Sequence, residues 1–363
     1  MENMLLNSKK KQYGLFEAAL ATILFIVFNV VFLFIYRMFP LSLRQNKFIY
    51  YFASFMIEFL FAVAAFVVAT SRKVDFKEAT GLNKKINGNI VFYGALISFA
   101  SLILFGNLTN VFIEFLYLSG YSSILGSLDI PNFGVYLIYV LISCVTPAVC
   151  EEILFRGVIA SGLKEKGFKF ALILSSVIFT LMHGNPEQTV HQFVIGLVVG
   201  FMFLKTGNVW LGIIVHFFNN FISVTQVYMM SFDKSAEVAT ESVAYAGTWG
   251  SFFGSLIIAL LMALIGYFVV RRLMDIICKE SDRINNVAAP VQENATIKVD
   301  DAEVAVEMTV DGAVVEQEQN TEENVTKTKK EPVSALIIVM FALAGAYFAF
   351  EWLSSLFMGL GIF

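Results

Sequence analysis

The chain has 363 residues, 58% of them hydrophobic and only 15% charged, with a mean hydropathy of +0.73. A soluble domain carries about 25% charged residues, so this composition excludes an ordinary soluble protein and predicts an all-α, polytopic membrane helical bundle. The net charge of −4 reflects an acidic segment near the C-terminus, and with no basic patch outside short loops nucleic acid is excluded as a partner.

A span needs about 20 apolar residues. That ruler gives nine candidate helices near 14–37, 48–70, 89–117, 134–163, 168–184, 189–204, 208–230, 249–270 and 334–361. The fifth and sixth are short and polar at their ends. Lys9, Lys10 and Lys11 precede a first apolar run too long for a signal-peptide h-region and without a clear cleavage site, so that run is expected to stay as a helix. With the N-terminus cytoplasmic, the outer loops hold only Arg37, Arg44, Lys47 and Lys234. The other Lys and Arg, apart from intramembrane Arg156, fall inside. The expected organisation is N-terminal helices in 1–133, a polar-containing core in 134–230, a further helix in 231–275, an acidic cytoplasmic linker in 276–332 and a last helix in 333–363. Loss of aromatics and gain of acid, Asn, Gln and Thr make 276–332 too polar to offset its ordering entropy. A small hairpin over 297–315 is the alternative there. The sequons at Asn294 and Asn324 are read as accidental, because the segment lies inside.

Cys144, Cys150 and Cys278 form no CxxC pair or disulfide framework, and the first two read as small core residues. The fourth apolar run contains Glu151-Glu152-Ile153-Leu154-Phe155-Arg156. A charge at bilayer depth costs roughly 2.5–3.5 kcal/mol on insertion scales, so these three need partners or a function. Glu152 and Arg156 are four apart and share a helical face. Glu151 is rotated about 100° from Glu152 and is expected to face a polar cavity.

Two further spots match it. Phe179 precedes His183 by one turn at the end of the fifth run, and His216 and Asn220 are four apart in the seventh. At about 1.5 Å per residue, Glu151, His183, His216 and Asn220 lie roughly 18, 22, 12 and 18 Å from the inner helix ends. Each group alone has a structural reading: an ion-paired knot for the carboxylates, an interfacial residue for His183, interhelical hydrogen bonding for His216 and Asn220. His191, the third histidine, lacks a partner at helical spacing and is set apart. Phe179 is expected to pack beside His183. Taken jointly, carboxylates, two imidazoles and an amide at one depth form a candidate reaction centre. A carboxylate and a histidine can hold and deprotonate water, and a second histidine with an amide can stabilise an oxyanion. Glu151, His183 and His216 are also a possible zinc ligand set, although HExxH is absent.

These residues resemble the CPBP intramembrane proteases, the group of CAAX prenyl endopeptidases and bacteriocin-processing (Abi) proteins. Their pattern is EExxxR, FxxxH and HxxxN or HxxxD on separate helices. It is met here by Glu151-Glu152-x-x-x-Arg156, Phe179-x-x-x-His183 and His216-x-x-x-Asn220, and the resemblance covers about 134–230. It implies that Glu151 activates the water with His183 and that His216 and Asn220 stabilise the oxyanion. Glu152, paired with Arg156, is then the supporting acid. It leaves Zn2+ or a metal-free site open; Asn220 in place of a carboxylate leans to the metal-free version. It further implies a peptide or lipidated protein substrate at the membrane lipid, in the plasma membrane. A composition rich in Phe and Asn points to a low-GC bacterium. The competing readings are a non-catalytic scaffold or bacteriocin-immunity protein that keeps the pocket, and a proton-relay transporter, for which no internal repeat is found.

Overall fold

The structure is a computed structural model and describes residues 12–123, 130–232, 248–286 and 334–362. Nine main helices follow in order: α1 Leu15–Met38, α2 Lys47–Arg72, α3 Gly88–Leu118, α4 Phe133–Lys166, α5 Phe168–Met182, α6 Thr189–Thr206, α7 Val209–Met230, α8 Trp249–Asn285 and α9 Ala335–Gly359. Short helical turns at Leu41–Arg44 and Phe76–Thr80 cross the ends. Among the described residues eight helices are long and apolar enough to cross a membrane, and no strand is present. The chain is therefore an all-α, multi-pass membrane bundle.

All nine expected helices form, but α5 is not a full span. Its 15 residues reach about 22 Å, short of a hydrocarbon core of about 30 Å. The chain turns back at Gly184, whose φ of +58° is the left-handed region glycine occupies without strain. Irregular backbone at such depth must be satisfied by protein. Asn185 Oδ1 accepts from the Glu187 N–H at 3.0 Å, and the Glu187 carboxylate accepts from Tyr117 Oη at 2.7 Å and Ser123 Oγ at 2.8 Å.

The helices alternate in direction, as the end contacts show. At one end Arg72 meets Glu17 at 2.8 Å, joining the end of α2 to the start of α1. Asn87 Nδ2 donates to Glu280 at 2.6 Å, joining the start of α3 to the end of α8. Lys164 Nζ donates to the Leu204 carbonyl at 3.0 Å, joining the ends of α4 and α6. At the other end the Ser122 N–H donates to the Gly359 carbonyl at 2.7 Å, and Trp352 Nε1 donates to Thr189 Oγ1 at 2.8 Å.

One expected boundary is corrected. The acidic linker was placed from 276, but α8 stays helical to Asn285. Arg271–Asp275 and Glu280–Arg283 pair along the helix, and Asn208 Nδ2 reaches Ser281 Oγ at 3.0 Å. Ile277 and Cys278 are buried, so this polar stretch has a packed face. The remainder of the linker, the suggested hairpin and both sequons lie outside the described residues.

α4 is the axis of the bundle. It packs against α1, α2, α5, α6 and α7, and every residue of its Ile153–Ala160 stretch is buried. Small residues let the neighbours approach, among them Ala18, Ala19 and Ala21 of α1 and Ala64, Ala65 and Ala69 of α2. Such close packing is what drives association where lipid is as apolar as the side chains. The outward faces of α8 and α9 expose Ile257, Leu260, Leu261, Leu264, Ile338 and Leu343, a surface that suits lipid. Cys144, Cys150 and Cys278 are free and buried.

Candidate active site

The site begins with an irregularity in α4. Two π-helical stretches, Val140–Val145 and Ile153–Ala160, flank the α-helical segment Thr146–Glu152 that carries both glutamates. Such π insertions often mark functional sites. Pro147 lacks the N–H that would close the preceding turn. Side chains also donate to carbonyls of this stretch. Thr146 Oγ1 donates to Leu141 O at 2.8 Å, and Asn220 Nδ2 of α7 donates to Ser143 O at 3.0 Å.

Glu152 is fully buried and accepts twice at one oxygen, from Arg156 Nη1 at 3.0 Å and from His216 Nδ1 at 3.0 Å. The Arg156 guanidinium lies 4.3 Å from the Phe179 ring centroid, and its Nη2 donates to Gly196 O at 3.3 Å. α7 comes close here because Gly212 has no side chain. A Cβ at that position would stand 2.6 Å from Glu152 Oε2. Ser98 Oγ of α3 donates to the Val215 carbonyl at 2.7 Å and fixes α7 beside His216.

Phe179 is the hub. Its ring meets His183, His216 and Phe155 edge-on, with centroids 5.0, 5.9 and 5.2 Å away. The two imidazoles are oriented alike. His183 Nδ1 lies 2.8 Å from Phe179 O, which can only accept, so Nδ1 carries the proton. That carbonyl is available because the His183 N–H turns to Thr180 O. His216 Nδ1 likewise donates to Glu152. Each ring therefore keeps only Nε2 for chemistry.

Glu151 is buried and turned from Glu152, toward α2, where it meets Glu58 side chain to side chain. Glu151 Oε2 and Glu58 Oε2 find no other partner in the structure. Glu152 pairs with Arg156, as the spacing predicts; Glu151 is the carboxylate left over, and what it faces is Glu58 and not the expected polar cavity.

Three participants escaped the sequence reading. Glu58 belongs to no motif, but it is a lone carboxylate in an apolar run about 14 residues, roughly 21 Å, from the inner end of α2. That matches the depth of Glu151 and could have revealed it. Asn219 Nδ2 donates to His191 Nε2 at 3.0 Å and to Asn220 Oδ1 at 3.3 Å. His191, set apart for want of a helical-spacing partner, is therefore joined to the network across helices. Its Nε2 is occupied, which distinguishes it from the other two rings. Asn220 has one amide hydrogen committed to Ser143.

The residues do not fit a ready-made zinc site. Among the described residues no three His, Cys, Asp or Glu side chains group closely enough to hold a metal ion. Glu151, His183 and His216 thus form no ligand set as they stand.

Comparison with known proteins bears on this same segment. Residues 133–222 match the family model described as type II CAAX prenyl endopeptidase Rce1-like. The "Putative membrane peptidase YdiL" of Bacillus subtilis (strain 168) is 31% identical over 90 residues. That alignment covers 24% of this chain and 37% of the relative, so the chain spans little more than a third of that relative's length. No solved structure matches. The matched stretch contains all three motifs together with the π-flanked glutamates of α4, so this core segment is similar to the CAAX prenyl endopeptidase family and to a membrane peptidase of Bacillus subtilis.

Proposed function

We propose that the protein is an intramembrane endopeptidase of the CAAX-protease type, acting on a membrane-associated or lipidated peptide in the bacterial plasma membrane. The observation that carries this reading is the paired orientation of His183 and His216 around Phe179, each with Nδ1 fixed and only Nε2 left.

The chemistry needs no covalent intermediate. Water is held between Glu151 and His183 Nε2. Glu151 takes one of its protons while the water oxygen bonds to the scissile carbonyl carbon. The negative charge that develops on the carbonyl oxygen is stabilised by the free amide hydrogen of Asn220 and by the Nε2–H of His216 when its ring is protonated, with Glu152 as counter-charge. Glu151 then passes its proton to the leaving nitrogen as the C–N bond breaks, and returns to the carboxylate. Glu152 and Arg156 act through His216 and Phe179 and touch no reacting atom.

The test is cleavage of a lipidated-peptide library by the purified full-length protein in lipid nanodiscs, read by mass spectrometry, with and without a chelator. Cleavage that survives chelation is the expected result. Cleavage lost on chelation and restored by Zn2+ would mean that the side chains rearrange around a metal. Peptide binding with no turnover would identify a scaffold.

A further inference from the structure

The contact between Glu58 and Glu151 has a chemical requirement. Two carboxylates offer only acceptors, so a hydrogen bond between carboxyl groups contains a proton. Two negative charges side by side in a dry interior repel strongly, and such pairs retain one proton between them. Arg156 is held by Glu152, Gly196 and Phe179 and makes no hydrogen bond to either carboxyl group of this pair.

The contact is not a chance rotamer. α2 and α4 run side by side in the same direction, and their aromatic contacts fix the register. Tyr51 meets Tyr139 at 5.7 Å and Phe61 meets Phe155 at 6.0 Å. The Cys150 thiol bonds to the backbone of Ala62, one turn beyond Glu58. These rungs bring the Glu58 turn of α2 alongside the Thr146–Glu152 segment of α4. The helices are buried against each other along Phe61, Ala64, Ala65 and Val68, so the register cannot slip without opening that face.

We propose that Glu58 is a positioning residue for the hydrolysis, sharing one proton with Glu151 so that Glu151 presents one fixed oxygen to the water. This rests on the hydrolytic reading above. A charge-assisted O–H···O⁻ bond is short and strong, and it occupies one Glu151 oxygen while the other takes the proton of water. The shared proton stays between the two carboxyl groups throughout, so the cycle balances as before: water supplies one hydrogen to Glu151, and Glu151 returns it to the leaving nitrogen.

Two variants and a spectrum test this in the full-length protein. Glu58→Leu matches the volume but cannot donate. It should lower kcat about 10- to 100-fold through loss of orientation, with KM within about twofold. Glu58→Gln can still donate, through its amide N–H, and should recover most of that loss. Infrared difference spectra should show a carboxylic-acid C=O band in the wild type that is missing in Glu58→Gln, whether or not a substrate has been found. An unchanged band in Glu58→Gln, or a wild-type kcat in folded Glu58→Leu, overturns the proposal. Glu151→Gln is the control. If it cleaves like the wild type, the hydrolytic reading fails. If it is inactive while Glu58→Leu is not, only the role of Glu58 falls.

Discussion

At the scale of single residues, the site is a set of buried polar groups, some paired and some with an oxygen or nitrogen left without a partner. Arg156 has the most partners. It neutralises Glu152, lies over Phe179 and reaches Gly196. Truncating it leaves a buried charge alone, so Arg156→Ala should destabilise the protein by about 3–5 kcal/mol, seen as a lower thermal midpoint in detergent. Gly212 makes a finer test. An added methyl meets Glu152 Oε2 and should push that carboxylate away from His216. Gly212→Ala is therefore predicted to lower kcat by about tenfold or more, with folding retained in size-exclusion chromatography. The Glu152–Arg156 pair was legible because i, i+4 spacing alone specifies the face. Glu58, His191 and Asn219 were not, because their partners come from other helices and no periodicity links 58 to 151 or 191 to 219.

At the scale of elements, α4 shows how a local defect builds a site. Pro147 has no N–H to offer the Ser143 carbonyl one turn back, and Asn220 supplies a donor from α7. Asn220→Ala should cost about 1–3 kcal/mol by leaving that carbonyl unsatisfied. In a Pro147→Ala background, where the helix can supply its own N–H, the cost should shrink. A double-mutant cycle on thermal stability reads the coupling directly, and additive effects would show that the two are independent. The sequence made the span of α4 plain, but not its π stretches, which arise from packing on five neighbouring helices. The end of α8 was misjudged for the opposite reason. Glu280 and Arg283 resemble a solvated linker in composition, yet they pair along the helix and Glu280 docks on Asn87. The early stop of α5 was visible in Gly184-Asn185-Pro186, although its depth in the bilayer required the structure.

At the scale of the whole molecule, alternating helices bring the inner ends of α1, α2, α3, α4, α6, α7 and α8 to one face, where the polar end contacts gather. The distribution of Lys and Arg assigns that face to the cytoplasm. In a cysteine-free background, Arg44→Cys should react with a membrane-impermeant maleimide from outside intact cells, and Lys85→Cys only after permeabilisation. The reverse pattern would invert the topology. Composition alone was enough for the fold class, since no soluble architecture tolerates this much apolar surface. Which helices touch α4 could not be read that way, because lipid-facing and protein-facing residues are equally apolar: the same Leu and Ile face outward on α8 and inward on α4.

The central claim is that Glu151 activates water for peptide hydrolysis, and the most direct measurement is kcat for the wild type against Glu151→Gln on the first peptide found to be cut. The exchange removes one proton acceptor and preserves shape. The account predicts a fall of about 10²- to 10⁴-fold, the usual worth of a general base, with the peptide still bound. Cleavage by Glu151→Gln at the wild-type rate would contradict it.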